Sequence, residues 1–541
     1  MTIYTPPAYQ TDPARVKRLA IVQDGRMHVF TVSDPRRGGS GAAYADSLTL
    51  APPHEFLRQV FWANVSSVWM LDGHGLAAAA LATVPTLASD PQASPQYTAH
   101  ELSSDGMLCG MIAQRRDPAD PSGRGRGEPI GIYATWVNDF WGISAAASIL
   151  TPREVAEGLA LASHLLGMQL RFSPSYTGLQ MLRQELGLWE QRNGALPELS
   201  AAWREQLMDA ELRAPYAQWR APLPQGTAGA AAGQPTPLWV YDRNSSFVSS
   251  AREVGVGDPE PTATYQPGRP GVYRVSAWSH ATYWPDMLPG PFCVGAGIGT
   301  YPVNHYGPAV WAWEPQIRQA IRAGYQVRIE DGFYWPKGPR GSGGRVHDLF
   351  RTWQARFWDA RRVARGWGGS GALAAALTKK IGVATIGRLA QREGRALVRV
   401  EQAQREGLRI ISRETDAAGE LTGNAEVEMA LGRTDLLQPG WWSVIIANSN
   451  ERLWNALYTQ APQNTALAYI DGLTLTQAAP ALDGDRDKPG GFRFQGRFTV
   501  PAAQVEQLNE LGPGELVKAF ARLQRAADMT DTAHAVEVAH G

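Results

Sequence analysis

Apolar residues recur along this chain with two different periods, and together they predict a mixture of strands and helices. Near the N-terminus, RLAIVQDGRMHVFTV alternates around Asp24-Gly25 and predicts a hairpin, while VSSVWMLDGHG predicts a buried strand. TPREVAEGLALASHLLGM has helical spacing, with Thr151 and Glu154 placed to form a capping box at its start. We therefore expect an α/β unit in the first 220 residues.

A second set of elements follows residues 221–237, a stretch rich in Gly, Ala, Pro and Gln that predicts a linker or long loop. PLWVYD predicts a strand ending at Asp242, and a helix from about Pro315 to Ala323 is expected to end at Gly324 before another strand. The segments DLFRTWQARFWDARRVAR, ALAAALTKKIGVATIGRLAQRE and WWSVIIANSNERLWNALYTQAP predict further helices. NTALAYIDGLTLTQ predicts a hairpin with Asp471-Gly472 as its turn.

Length and composition limit the class of protein. A chain of 541 residues is long enough for several domains. Cys109 and Cys293 are far apart and lack neighbouring ligand residues, which argues against a disulfide framework or a zinc site and favours a reducing, cytoplasmic setting. Apolar stretches such as GLAAAALATV are shorter than the ~20 residues that span a bilayer, so we expect no membrane partner.

Positive charge is concentrated in one part of the chain, although Lys plus Arg (51) equals Asp plus Glu (51) overall. Residues 333–399 are rich in Lys and Arg, and only Asp348, Asp359 and Glu393 oppose them. In the helix predicted there, Leu349, Trp353, Phe357 and Val363 are expected to lie on one side, with arginines on the rest. A solvated helix face is one interpretation, and a surface for phosphates is the other.

Two aspartates are candidates for chemistry, and each has a simpler interpretation. Asp242 and the Arg243, Asn244 and Ser245 that follow it are typical of a turn or a helix N-cap. Asp471 is typical of a hairpin turn. Together, however, the two carboxylates at strand ends have the chemistry needed to bind metal ions.

The order of these features resembles the polymerase core of family B DNA polymerases, especially the compact phage and plasmid branch. DRNSSF is similar to motif A, with Phe247 in place of the family's Tyr. KKIGVATIG is similar to motif B through Lys379 and Gly387. YIDG is similar to motif C through Asp471 and Gly472, with Tyr469 in place of the first family aspartate. A second alignment would pair Asp471 with that first aspartate and leave Leu473 in place of the second, giving an inert site.

The resemblance covers roughly residues 15–500 and implies an α/β multidomain fold with right-hand polymerase architecture. Its N-terminal domain would be RNase H-like and inactive as an exonuclease, because IVQDGRMHVF lacks the family's Asp-x-Glu. The implied domains are 1–220 for that exonuclease-type domain, 221–237 for the linker, 238–332 for the first part of the palm, 333–400 for the fingers, 401–500 for the second part of the palm, and 501–541 for a small thumb and tail.

The resemblance also implies roles for single residues. Asp242 and Asp471 would bind the catalytic Mg²⁺ or Mn²⁺, with the Arg243 carbonyl as a further ligand. The remaining nucleotide-binding residues would be Lys379, Arg361, Arg362, Ser245 and Phe247, the last lying under the incoming sugar. The implied partners are primer-template DNA, deoxynucleoside triphosphates and a protein primer or processivity factor. The alternative is a polymerase-derived nucleic-acid-binding protein that has lost its chemistry.

Overall fold

The structure is a computed structural model that divides into two compact units, Met1–Glu185 with Ala355–Leu437, and Leu186–Gln354 with Gln438–Gly541. The described residues are 18–32, 42–52, 56, 59–60, 65, 67–71, 97–103, 110–116, 126–133, 150–168, 170, 174–220, 223, 235–279, 309–322, 324–336, 349–391, 393–405, 409–415, 421–430, 436–459, 464–484 and 490–540.

The described strands and helices are numbered here in chain order. The strands are β1 Arg18–Gln23, β2 Arg26–Val32, β3 Ala42–Thr49, β4 Ser67–Met70, β5 Tyr97–Ser103, β6 Gly110–Arg116, β7 Arg126–Tyr133, β8 Gln218–Arg220, β9 Thr236–Arg243, β10 Glu260–Pro261, β11 Gly271–Ser279, β12 Val310–Trp313, β13 Tyr325–Tyr334, β14 Glu393–Arg399, β15 Arg409–Thr415, β16 Leu421–Ala430, β17 Thr465–Tyr469, β18 Gly472–Leu475 and β19 Phe492–Val500. The helices are α1 Pro152–Leu166, α2 Pro174–Asn193, α3 Ala201–Gln206, α4 Ser246–Ser250, α5 Glu314–Arg322, α6 Arg351–Ala364, α7 Gly368–Arg388, α8 Val400–Arg405, α9 Pro439–Thr459, α10 Ala502–Glu510 and α11 Pro513–His540.

A mixed sheet organises the first unit, with strand order β3-β2-β1-β4-β7-β6-β5. β1 and β4 are parallel, as are β4 and β7, and the other neighbours are antiparallel. The predicted hairpin between β1 and β2 is confirmed, because Gln23 pairs with Arg26 and both Asp24 and Gly25 have positive φ. β4 is fully buried, as its sequence predicted.

Two helices of the first unit pack closely, α1 against α7. The predicted capping box is confirmed, since Thr151 accepts from the Glu154 amide while the Glu154 side chain accepts from the Thr151 amide. A Cβ at Gly158 would lie 2.8 Å from the Leu373 side chain and 2.9 Å from the Ser370 carbonyl, so the close approach requires glycine. β14, β16 and β15 form a separate three-stranded antiparallel sheet.

Helix α6 departs from its predicted pattern at two positions. Trp353 and Phe357 are buried as expected, but Val363 is 38% exposed and Arg361 is only 6% exposed. The reason is geometric: Arg361 follows Phe357 by four residues and shares its face, whereas Val363 follows by six and lies on the other side.

The described residues of the second unit form two sheets. The first has strand order β10-β13-β11-β12 and is covered by α5, whose Ile317 and Ala320 pack on Tyr273 and Val275. The predicted helix, its Gly324 end with φ 88° and the following strand are all confirmed, although β13 continues to Tyr334.

The second sheet of this unit has strand order β19-β9-β18-β17-β8 and is packed on both faces. One apolar cluster joins Tyr241 and Leu473 to Trp454 of α9. The other joins Leu238 and Phe498 to residues of α10 and α11. Since neighbouring residues of a strand face opposite sides, β9 contributes Trp239 and Tyr241 to the first cluster and Leu238 and Val240 to the second.

Several sequence-based expectations lie outside the described residues. They include both cysteines, Cys109 and Cys293, and most of the predicted linker 221–237. Among the helices that the structure describes, none combines the length and apolar character needed to cross a membrane.

Candidate active site

The end of strand β9 and the turn of the β17–β18 hairpin lie together at one edge of the five-stranded sheet. Asp242 is opposite Gly472 of β18 on one side and opposite Arg493 of β19 on the other. The Arg243 amide donates to the Asp471 carbonyl at 3.1 Å. The two predicted aspartates, separated by more than 200 residues in sequence, are therefore brought to the same strand ends.

The turn itself is shifted by one residue from the predicted one. Tyr469 pairs with Gly472, so the two central residues are Ile470 and Asp471, and Gly472 already belongs to β18. Ile470 has a φ of 56°, which is a costly conformation for a β-branched residue. A type I′ turn, which needs positive φ at both central residues, is excluded because Asp471 is not among the positive-φ residues. The predicted Asp471-Gly472 turn is wrong, because pairing with β9 draws Gly472 into the sheet.

Arg243 is the most deeply buried charged group at this edge. Its side chain is on the α9 face of β9, where it donates to the Ser449 carbonyl at 2.7 Å, to the Ser449 hydroxyl at 3.2 Å and to the Gly490 carbonyl at 3.3 Å. The residue is only 1% exposed. These bonds attach the strand end to helix α9 and to the segment before β19.

The pKa of Arg243 depends on the charges of both aspartates. Burial, with a smaller contribution from Arg452, lowers the pKa of Arg243 to about 9, and the charges of Asp471 and Asp242 partly oppose this shift. Burial likewise lowers the pKa of Arg452 to about 10. Both carboxylates therefore act on the same guanidinium, and Asp471 acts on it more strongly than Asp242 does.

Asp242 forms an ion pair with a second arginine, Arg493. The Arg493 guanidinium lies 3.1 Å from the Asp242 Oδ2, and both side chains are 28% exposed. The two residues face each other across the β9–β19 ladder, so their Cβ atoms leave the sheet on the same side. Each carboxylate of the candidate site is thus compensated by a positive side chain.

The donor atoms suit a hard divalent cation. Asp242, Asp471 and the Arg243 carbonyl offer oxygen, which Mg²⁺ and Mn²⁺ prefer. The charges of Arg452 and Arg252 also act on Arg243, so with Arg493 the arginines near the site outnumber its two carboxylates. Within the part of the chain that the structure describes, no group of three or more acidic, His or Cys side chains could hold a metal. The site fits a metal ion by its oxygen donors, with Arg493 as a competing cation.

A run of buried polar residues in α9 supports the whole edge, and sequence reasoning missed it. Asn448 donates to the Ser250 and Arg252 carbonyls, and Ser449 accepts from Arg243. Asn450 accepts from the Ala217 amide and donates to the Pro215 carbonyl, which holds the approach to β8. Glu451 accepts from Arg318 and Arg322 of α5. The polar run in the otherwise apolar WWSVIIANSNERLWNAL was the signal that could have revealed this role.

Ser245 and Phe247 follow Asp242 at the start of α4. Ser245 has a φ of 46° and makes no side-chain capping bond, so the simple N-cap interpretation is not supported for it. Phe247 is half-buried, and its ring lies 5.9 Å from that of Tyr216, which is 38% exposed. Tyr216 also contacts Trp442 edge-on at 5.9 Å, and burial raises the pKa of its hydroxyl. Tyr216 and Trp442 were not predicted, because nothing in the sequence shows that they meet Phe247.

Tyr469, which stands where the resemblance expects an aspartate, has a packing role. It is half-buried and lies against the apolar cluster that contains Leu516 and Phe520 of α11.

The predicted site residues near the strand ends all belong to the second unit. They are Asp242, Arg243, Ser245, Phe247 and Asp471.

The three predicted phosphate-binding cations belong to the first unit. Lys379 is exposed on α7. Arg361 is 6% exposed and its guanidinium lies 5.5 Å from the centre of the Trp358 ring. The Arg362 side chain is 72% exposed and pairs with Asp359 at 3.0 Å. Their roles in nucleotide binding stay predictions.

Comparisons with known proteins gave structural similarities alone. No protein-family model and no curated protein matches the chain. Phi29 DNA polymerase complexed with single-stranded DNA is similar over 88% of this chain and 81% of that one, with 12% identity and a TM-score of 0.48. The same polymerase with primer-template DNA and incoming nucleotides is similar over 89% and 85%, with 11% identity and a TM-score of 0.49.

Proposed function

We propose that this protein is a template-directed DNA polymerase that adds deoxynucleotides to a primer 3′ hydroxyl without proofreading. The observation that carries the proposal is the meeting of Asp242 with the Asp471 turn, fixed by the Arg243 to Asp471 main-chain bond. Nucleotide addition is phosphoryl transfer, for which enzymes use carboxylate-bound divalent ions. Asp242, Asp471 and the Arg243 carbonyl would hold such ions.

The chemistry would divide among the residues as follows. Mg²⁺ held by Asp242, Asp471 and the Arg243 carbonyl would supply positive charge to stabilise the negative charge that develops in phosphoryl transfer. The carboxylates of Asp242 and Asp471 would bind these ions at the strand ends. The Arg243 guanidinium holds the strand in place from the α9 face. The flat ring of Phe247 would support the deoxyribose, with the Tyr216 ring tilted 57° against it.

The proposal assigns a polymerase domain to each part of the chain. The five-stranded sheet would be the palm, and the basic helices α6 and α7 the fingers, with Lys379, Arg361 and Arg362 on the triphosphate. The mixed sheet of the first unit would be an RNase H-like domain without nuclease activity. Primer-template DNA and deoxynucleoside triphosphates would be the partners, together with a protein primer or processivity factor.

A second candidate function is nucleic-acid binding without chemistry. The ion pair between Arg493 and Asp242 favours it, because a carboxylate already neutralised by arginine is a poorer ligand for a metal. In that case the basic helices would bind phosphates and the aspartates would hold the sheet edge together.

Primer extension separates the two functions. A labelled primer-template is incubated with deoxynucleotides and Mg²⁺ or Mn²⁺, with the parent protein and with Asp242→Asn and Asp471→Asn. A polymerase extends the primer, and both variants slow the reaction about a thousandfold, since ~4 kcal/mol of transition-state stabilisation is lost. Duplex binding by all three proteins without extension by any would establish the second function. Equal extension by parent and variants would refute the assignment of the two aspartates.

A further inference from the structure

The ion pair between Arg493 and Asp242 has a consequence for metal binding. We propose that Arg493 competes with a divalent cation for the Asp242 carboxylate, so that a metal ion binds there only after the guanidinium has moved away. The proposal rests on the proposed function only in treating Asp242 as a metal-binding carboxylate. It assigns to Arg493 the role of setting how tightly the metal is held.

The pairing of β9 with β19 fixes the position of Arg493, the competing cation. Arg493 and Asp242 are direct cross-strand partners in a ladder that runs from Phe492 to Val500. Their charged groups meet at 3.1 Å, and both side chains are partly exposed, so the contact is open to ions from solvent. A guanidinium fixed in this way is always available to the carboxylate, unlike a cation from solution.

A second acceptor for the guanidinium lies beside it. Gln495 is the extra residue of a β-bulge in β19, between the Phe494–Tyr241 and Gly496–Val240 pairs. With its amide oxygen turned toward Arg493, Gln495 accepts from the Arg493 Nε at 2.5 Å and from the terminal nitrogen at 3.1 Å. Gly496, with a φ of 151°, allows the strand to continue past the bulge. The terminal nitrogen is the one that also contacts Asp242, so Gln495 and Asp242 share the guanidinium. The Nε bond to Gln495 does not involve Asp242 and can persist when that nitrogen leaves the carboxylate.

Electrostatics determine the direction of the effect. A cation in contact with Asp242 occupies one carboxylate oxygen and repels a second cation nearby. Removing the Arg493 charge relieves both effects, so the affinity of the site for a divalent ion should rise. We expect a gain of about tenfold, which corresponds to about 1.4 kcal/mol.

Binding of Mn²⁺ to the full-length protein tests the proposal without any measurement of activity. Free Mn²⁺ is followed by its electron paramagnetic resonance signal, with the parent protein and with Arg493→Gln, which has a side chain of similar reach but no charge. The proposal expects Arg493→Gln to bind Mn²⁺ about tenfold more tightly than the parent does. Equal or weaker binding by this variant would overturn it.

Two further variants localise the effect. Arg497→Gln is the matched control, because Arg497 lies on the same strand but stacks 5.1 Å from the Trp239 ring and does not pair with Asp242. It should leave Mn²⁺ affinity unchanged, and an equal gain there would show a general charge effect instead. Adding Asp242→Asn to Arg493→Gln should abolish the gain. A gain that survives in the double variant would place the metal elsewhere and refute the competition.

Failure of this proposal is distinguishable from failure of the polymerase function. Tighter Mn²⁺ binding by Arg493→Gln without any primer extension by the parent would sustain the competition and remove the catalytic role. Primer extension by the parent with unchanged Mn²⁺ affinity in Arg493→Gln would sustain the polymerase function and refute the competition. Circular dichroism of each variant verifies that the compared proteins are folded.

Discussion

The Arg243 amide donates to the Asp471 carbonyl at 3.1 Å, and this bond joins the end of β9 to the hairpin turn through the main chain alone. Substitution of either side chain at 242 or 471 leaves the bond available. Aspartate-to-asparagine changes at these positions therefore test charge while keeping the backbone geometry. We expect such variants to lose no more than about 1 kcal/mol of stability.

The turn residue Ile470 gives a prediction about strain. Its φ of 56° disfavours a β-branched side chain, whereas asparagine tolerates this conformation. We expect Ile470→Asn to keep or raise the free energy of unfolding, by up to about 1 kcal/mol. Urea unfolding measures the difference. Ile470→Val, which keeps the branched Cβ, is the control and should bring no gain; a loss above about 1 kcal/mol in Ile470→Asn would show that the side chain's packing dominates.

Arg243 gives a prediction about stability. Lysine cannot reproduce the fork that serves both the Ser449 and Gly490 carbonyls, so Arg243→Lys leaves buried acceptors without donors. We expect a loss of about 3 kcal/mol, measured by denaturant unfolding. Arg493→Lys is the matched comparison on the partly exposed pair and should lose less than about 1 kcal/mol. Equal losses would mean that the buried bonds of Arg243 contribute little.

Phe247 gives a prediction about sugar selection. If its ring and that of Tyr216 support the incoming sugar, Phe247→Ala opens space for a 2′-hydroxyl. The ratio of ribonucleotide to deoxynucleotide incorporation should rise about tenfold or more. Single-nucleotide extension with each substrate gives the ratio. Phe247→Tyr keeps the ring and should leave the ratio close to that of the parent, and an unchanged ratio in Phe247→Ala would remove Phe247 from the sugar site.

Arg362, an exposed arginine of α6, gives a prediction about salt dependence. Its side chain is 72% exposed. If the basic helices bind DNA phosphates, as in the second candidate function, replacing Arg362 with alanine should reduce the slope of DNA affinity against salt by about 1. Binding titrations at several salt concentrations measure the slope. Arg497→Ala, in the other unit, controls for loss of one charge in general. Identical slopes for the parent and Arg362→Ala would exclude the contact.

Local patterns in the sequence were sufficient for much of the fold. The Asp24-Gly25 hairpin and the Thr151–Glu154 capping box formed as predicted, because short-range geometry determines both. The meeting of Asp242 with the Asp471 hairpin was expected from the order of motifs, and the structure places them together.

Contacts between distant segments decided what sequence reasoning missed. Gly472 belongs to a strand because β9 pairs with it, although Asp-Gly is a strong local turn signal. Arg493 faces Asp242 only because β19 adds to the other side of β9. Likewise, the burial of Arg361 follows from its face on α6, which the basic composition of the segment concealed.

The strand order β19-β9-β18-β17-β8 also has a consequence for synthesis on the ribosome. β9 is synthesised more than 200 residues before its partners, because both strands that flank it come from residues after 471. Until those residues emerge, both edges of β9 lack their native partners, and such edges pair readily with other chains. Loop closures over more than 200 residues are slow to form, so the sheet should assemble late and require protection of the nascent chain.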